Sequence, residues 1–295
     1  LGYDDVAGYE NDNDCFGFNI GRNANRISNA QFTLNNIKYV LAKNDGENNL
    51  HSGPHLFSKR MWHVKEYNDD SIMFGIESPH LDQGFPGNAK FYIVYRITGS
   101  NSFQIEYSAV SDMDTVINMT NHSYFNLNGE GNGSIVNHKA VIYADSFTPL
   151  KTGVIPTGEI RAVEKTPMDF RKIKRIDDDI NSEYEQIKIA GGYDHNWVID
   201  KSDSHALAEC VEVYGDKSDI SMKISSDYPG IQMYTGNYIG NVKGKHGHIY
   251  APRDGVCFEP QYFPDAVNRP EFESSVCKAG RKFDKTIKYE FFNKN

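Results

Sequence analysis

Asn118-Met119-Thr120-Asn121-His122-Ser123-Tyr124-Phe125-Asn126-Leu127, led in by Thr115-Val116-Ile117, decides the fold class. From Val116 onward Ile117 and Met119 are apolar, while Asn118, Thr120, His122 and Tyr124 fall on the opposite face of an expected strand. A strand with one apolar face, and an imidazole and a phenol two residues apart on the other, suits the wall of a wet cleft.

Similar runs, divided by turn residues, extend on both sides. They include Phe32-Thr33-Leu34, Lys38-Tyr39-Val40-Leu41, Ser71 to Ile76, Phe91 to Ile97 and Phe103 to Tyr107 before the stretch. Lys139 to Tyr143, Ile220 to Ile224, Ile231 to Tyr234 and Thr286 to Phe292 follow it. Asn35-Asn36, Asp69-Asp70 and Gly99-Ser100-Asn101 are hairpin-type connections. The polar stretch from Ile176 to Ile189 is the one convincing helical candidate. Alternating βα units are absent, which disfavours a parallel doubly wound sheet and predicts an all-β, large antiparallel β-sandwich with few short helices.

Composition narrows the function. The chain has 295 residues, 39% hydrophobic and 13% aromatic, with a mean hydropathy of -0.59. No apolar run approaches the roughly 20 residues of a membrane span, so no membrane partner is expected. A net charge of -9 argues against a nucleic-acid partner, whose phosphates require a basic surface. Cys15, Cys210, Cys257 and Cys277 are scattered, which predicts reduced thiols in a cytoplasmic protein rather than a disulfide frame.

Four further segments concentrate polar chemistry. Gly21-Arg22-Asn23-Ala24-Asn25-Arg26-Ile27 offers arginine forks beside amides, a combination suited to a ligand with several hydroxyls. Asn48-Asn49-Leu50-His51-Ser52-Gly53 brings an imidazole into a turn. Gly191-Gly192-Tyr193-Asp194-His195-Asn196-Trp197 places Asp194 and His195 on opposite faces of a strand, so the two cannot share a cleft. In Gly255-Val256-Cys257-Phe258-Glu259-Pro260-Gln261, Glu259 faces away from Val256 and Phe258, at a strand end expected to stop at Pro260. A carboxylate so close to a core is costly unless paired or used.

Taken in order, these segments resemble the aldose 1-epimerase family, in its galactose mutarotase branch. Gly84-Phe85-Pro86-Gly87-Asn88, Ile155-Pro156-Thr157-Gly158-Glu159, Gly230 to Asn237 and Pro264-Asp265-Ala266 carry the likeness across nearly the whole chain. The resemblance implies a galactose mutarotase-like supersandwich in a single domain over residues 1–295. Family chains begin with strands ahead of the Leu1-Gly2-Tyr3-Asp4 segment, so the resemblance also implies that these strands are lacking here. It further implies interconversion of the α and β anomers of a free hexose, with Glu259 as general base and His122 as general acid. Asn25, Arg26, His51, Ser123, Tyr124, Asp194 and Gln232 would position the sugar. The implied partner is a small monosaccharide, acted on by a monomer or weak dimer without cofactor or metal. Ser52, where many relatives have Gly, departs from the pattern beside the cleft and is expected to bear on substrate preference.

Three rivals stand beside this reading. Asp194 and Glu259 could be the paired carboxylates of a glycoside hydrolase. The cleft could belong to a sugar-binding module without turnover. His51, His122, His195 and Glu259 could together hold a metal, although they lack local ligand spacing.

Overall fold

Most of the alternating runs become two large antiparallel sheets, with six two-stranded ones beside them, in the computed structural model, which describes residues 1–99, 101–201 and 206–293. The nine-stranded sheet runs in the order Lys174–Arg175, Lys139–Ile142, Ala208–Tyr214, Ile220–Ser226, Lys282–Asn293, Ser102–Ser111, Ala89–Gly99, Ser71–Ser78 and His63–Tyr67. The six-stranded sheet runs Tyr124–Phe125, Val256–Gln261, Gly230–Tyr234, Asp194–Val198, Ser146–Thr148 and Arg161–Ala162. The expected antiparallel all-β architecture is therefore what the chain adopts.

Period-two alternation explains how the sheets meet. Phe91, Ile93, Ile105, Val211, Met222 and Ile287 from the larger sheet join Phe147, Trp197, Ile231, Met233, Val256 and Phe258 from the smaller in one buried cluster. Each such side chain contributes roughly 1.5–3 kcal/mol on burial. The intervening residues of the smaller sheet, among them Asp194, Gln232, Tyr234, Cys257 and Glu259, must face the other way. That second face is the floor of the functional site.

The expected hairpin at Asn35-Asn36 forms between Gln31–Leu34 and Ile37–Val40, with both asparagines left-handed at φ 51° and 61°. This is the primed geometry that matches strand twist. Asp69-Asp70 likewise lies between paired strands. The Gly99-Ser100-Asn101 connection includes Ser100, which lies outside the described residues.

Three local expectations are corrected. The 115–127 stretch is not one strand but three short ones, Thr115–Val116, Thr120–His122 and Tyr124–Phe125, each with a different partner strand. Its polar residues divide accordingly. Asn118 Oδ1 accepts from the Tyr262 N–H at 2.9 Å, and the Thr120 hydroxyl donates to the Pro260 carbonyl at 2.8 Å. Both side chains are buried and replace ladder bonds where the strands break, so only His122 and Tyr124 reach the cleft.

Pro260 does not stop its strand, which continues to Gln261 with Ile231 opposite the proline. The Pro260 carbonyl points to Thr120, away from the Gly230–Tyr234 partner, so the missing N–H falls on a side where that ladder needs no donor. The 176–189 stretch contains only a 3₁₀ turn at Ile176–Asp178 and an α-helix at Glu185–Ala190. The helix is anchored by buried Gln186, whose amide bonds both backbone groups of Leu150. A second short helix, Val6–Glu10, is capped by the Asp5 carboxylate accepting from Gly8 N–H.

Candidate active site

Register on the smaller sheet builds the site row by row. Tyr124 lies opposite Cys257, Cys257 opposite Tyr234, and Tyr234 opposite Asp194. In the next row Glu259 lies opposite Gln232, and Gln232 opposite Asn196. Above these rows a cleft of about 510 Å³ is lined by Asn25, Arg26, His51, His122, Tyr124, Asp194 and Glu259. Its size is in the range of small-ligand sites. Of the residues named from sequence, these seven are brought together.

Ser123 and Gln232 do not line the cleft. Ser123 alternates with His122 and Tyr124, and its N–H donates to the Asn121 side chain at 3.2 Å. Gln232 is buried beneath Asp194, donating from Nε2 to Asp194 Oδ1 at 2.7 Å. Ser52 is also away from the ligand space: its buried hydroxyl accepts from Asn23 N–H at 2.8 Å and donates to the Asn23 carbonyl at 3.0 Å. It fixes the backbone leading into Asn25 instead of touching what binds there.

His51 and Asn25 lock each other. Both are left-handed, at φ 55° and 61°. The His51 N–H donates to the Asn25 carbonyl, and the Asn25 N–H donates to His51 Nδ1, each at 3.1 Å. An Nδ1 that accepts leaves Nε2 as the protonated nitrogen of a neutral ring, and burial holds the His51 pKa well below the usual imidazole range. Arg26 reaches two carboxylates, Nε to Asp45 Oδ2 at 2.7 Å and Nη1 to Asp194 Oδ2 at 3.7 Å. Both Asp194 oxygens are thus engaged, one by Gln232 and one by Arg26.

The centre of the cleft is the pair His122 and Glu259. Nε2 lies 3.6 Å from Oε1, just beyond hydrogen-bond length, while His122 Nδ1 sits 3.4 Å from Cys257 Sγ. Burial opposes charge on both groups. It lowers His122 to about 4 and, helped by the nearby Asp194 charge, raises Glu259 well above the ordinary carboxylate range. Their mutual attraction works the other way, favouring the charged pair. Glu259 Oε2 is buried with no hydrogen-bond partner among the described residues. A buried oxygen left open in a cleft is costly to the free protein and marks a place where a ligand donor belongs.

Aromatic side chains missed by sequence reasoning complete the wall. Tyr234 and Tyr238 stack with ring centroids 6.4 Å apart, and Asp14, Cys15, Leu50 and Val154 border the opening. Tyr234 was within reach of sequence reasoning, since strand alternation puts it on the face of Gln232; Tyr238 and Val154 come from turns with no such period. A more open groove of about 720 Å³ runs beside Asp265 and Arg269, but those two charges already pair with each other at 3.1 Å.

His195 is on the reverse face, buried against Phe147 and Trp197. It cannot join a metal site with the others. His51, His122 and Glu259 do bring ligand atoms within 4.8 Å of one another, but a His51 ring that accepts at Nδ1 carries its proton on Nε2 and so turns no lone pair toward an ion there.

A profile described as aldose 1-epimerase matches residues 1–290 of this chain. The chain belongs to the aldose 1-epimerase family. It is 36% identical to galactose mutarotase from Bos taurus over 292 residues, which is 99% of this chain and 83% of that protein. It is 35% identical to aldose 1-epimerase from Escherichia coli K12 over 286 residues, 96% of this chain and 82% of that protein. The crystal structure of an aldose epimerase homologue from C. elegans superposes with a TM-score of 0.91 at 30% identity, covering 100% of this chain and 88% of that one. That of galactose 1-epimerase from Lactobacillus acidophilus shares the fold, with a TM-score of 0.84 at 24% identity over 100% of this chain and 85% of its own. Within this epimerase family, the two-sheet architecture and the cleft on the smaller sheet now have a chemical context.

Proposed function

We propose that this chain is an aldose 1-epimerase that interconverts the α and β anomers of a free hexose, with His122 and Glu259 as its acid–base pair. One observation carries the reading. Nε2 and Oε1, 3.6 Å apart, can each reach one of two oxygens bonded to the same sugar carbon, the C1 hydroxyl and the ring oxygen.

The chemistry balances on a single proton. Glu259 takes the proton of the C1 hydroxyl, the bond from C1 to the ring oxygen breaks as the carbonyl forms, and His122 delivers its proton to the ring oxygen. The aldehyde turns about its bond to C2. Closure then reverses both transfers on the other face, and the pair regains its starting state. A sugar hydroxyl donating to Glu259 Oε2 supplies the hydrogen bond that the free carboxylate lacks, and so favours its charged form in the complex. Asn25, Arg26, His51, Tyr124 and Asp194 hold the other hydroxyls, while Gln232 orients Asp194 from below. Polarimetry on freshly dissolved α-galactose and α-glucose tests the reading: mutarotation no faster than the buffer alone would overturn it.

Two further outcomes follow from the same geometry. The pair keeps one proton from about pH 4, where His122 gains a second, up to the raised Glu259 value, where the last is lost. The rate therefore falls toward acid below about 4, when no carboxylate remains to act as base, and is sustained from there up to the raised Glu259 value. A polarimetric profile that already falls toward acid through the free-imidazole value of about 6.5 would contradict this. Asp194→Asn removes the charge that draws Arg26 over the cleft, so KM rises about tenfold with kcat nearly kept, in line with the loss of one charge-assisted hydrogen bond. A fall in kcat with unchanged KM would instead place Asp194 in the chemical step.

A further inference from the structure

Away from the cleft, two imidazoles and a carboxylate converge on one point. His246 and His248 lie in the turn between the short strands Val242–Lys243 and Ile249–Tyr250, and Glu130 comes from the loop after Tyr124–Phe125. His246 Nδ1 is 3.4 Å from Glu130 Oε2, and His248 Nδ1 is 3.0 and 3.1 Å from the two carboxylate oxygens. All three ligand atoms lie within 4.8 Å of one another. We propose that Glu130, His246 and His248 form a binding site for a divalent transition ion of the zinc class, separate from the catalytic cleft.

The donor set and spacing favour this class of ion. Metal–nitrogen and metal–oxygen bonds of about 2.0–2.2 Å place tetrahedral ligands roughly 3.3 Å apart, close to the histidine–carboxylate separations found here. Two nitrogens and one oxygen suit zinc, copper or nickel better than calcium or magnesium, which prefer all-oxygen shells. His246 and His248 side chains are 74% and 46% exposed, so water can fill the remaining position, whereas Glu130 at 20% is firmly seated.

The backbone is shaped to hold this convergence. His246 sits at φ 54° and ψ 19°, a region that a residue with a Cβ seldom adopts, and Gly247 follows at φ 77°. Gly131 lies directly against the second ring, where a Cβ would come within 2.1 Å of His248 Nδ1. The Asp4 carboxylate accepts from the His246 N–H at 3.0 and 3.1 Å, adding negative charge beside the site and fixing the turn. A bound ion would tie together the 1–4 segment, the 128–133 loop and the 244–250 turn. Tyr250, next to the turn, packs on Phe16, and Phe16 packs on Tyr124 of the cleft wall.

The test is equilibrium dialysis of the untagged, chelator-treated chain against zinc chloride, read by elemental analysis and by thermal unfolding. The expected result is about one zinc per chain and a Tm raised by a few degrees. In His246→Ala/His248→Ala, and in Glu130→Gln, which keeps the side-chain volume, affinity weakens about tenfold or more and the zinc-dependent Tm rise disappears. His122→Ala retains both. Failure of the wild-type chain to take up zinc overturns the proposal. So does binding that survives the surface variants, and so does binding lost in His122→Ala, which would place the ion in the cleft.

Discussion

Glu259→Gln lowers the enzymatic mutarotation rate by about 10³-fold, and His122→Ala does so to a similar degree, each within the 10²–10⁴-fold that one general acid or base supplies. Gln keeps the shape of Glu259 and its register opposite Gln232 but cannot accept the proton from the C1 hydroxyl. Because the two groups pass one proton between them, the double variant is little slower than the worse single one. Polarimetry decides the outcome, and near-normal rates in either single variant would remove the assignment. Unfolding gives an independent readout. Glu259 is buried with one oxygen unpartnered among the described residues, so Glu259→Gln is expected to raise stability by about 1 kcal/mol or more while abolishing turnover. A destabilised variant would mean that Glu259 supports the fold and would weaken the case that it is kept for chemistry.

The second large effect is structural. Arg22 is fully buried, and its guanidinium donates to the Ser78 hydroxyl at 2.9 Å and to the carbonyls of Ser78, Pro79, Pro86 and Gly87 at 2.8 to 3.0 Å. Burial lowers its pKa to about 10, which still leaves it charged at neutral pH. Arg22→Met fills much of the same volume but strands several buried carbonyls, and should destabilise the chain by about 3–5 kcal/mol. The same substitution leaves the KM of any folded fraction unchanged, since Arg22 does not line the cleft. Denaturant unfolding and steady-state kinetics separate the two effects. A loss below about 1 kcal/mol would show that water or a backbone shift satisfies those carbonyls.

Arg22 and Arg26 show how far residue type carries without coordinates. Both arginines stand in one loop and look equally fit to meet a hydroxylated ligand; only the path of the backbone sends one inward to tie down the 78–87 segment and the other over the cleft. The sheets were easier to read, because long alternating strands such as Ala89–Gly99 and Lys282–Asn293 repeat their signal many times. The 115–127 stretch carries the same alternation, but its breaks depend on partners more than a hundred residues away, such as Tyr262 bonding Asn118. That Asp194 rather than His195 belongs to the cleft came only with the family resemblance, whereas His122 and Glu259 were legible as cleft candidates because a titratable group on the polar side of an apolar strand is unusual. Their side-by-side placement was not, since strand order is fixed by long-range pairing. Separation of His195 from Asp194 followed from alternation alone.

That alternation has a consequence for how such a protein can vary. Along Val256–Gln261, the core residues Val256 and Phe258 alternate with Cys257 and Glu259 on the cleft side, so inserting or deleting a single residue there would turn the carboxylate into the oil and the phenylalanine into the water. The strand is therefore frozen in length. Room for diversification lies in the turns that carry Asp14, Val154 and Tyr238 at the mouth, which can lengthen or shorten without disturbing the strand register below. Choice among sugars can drift at the rim while the reaction stays fixed at the floor.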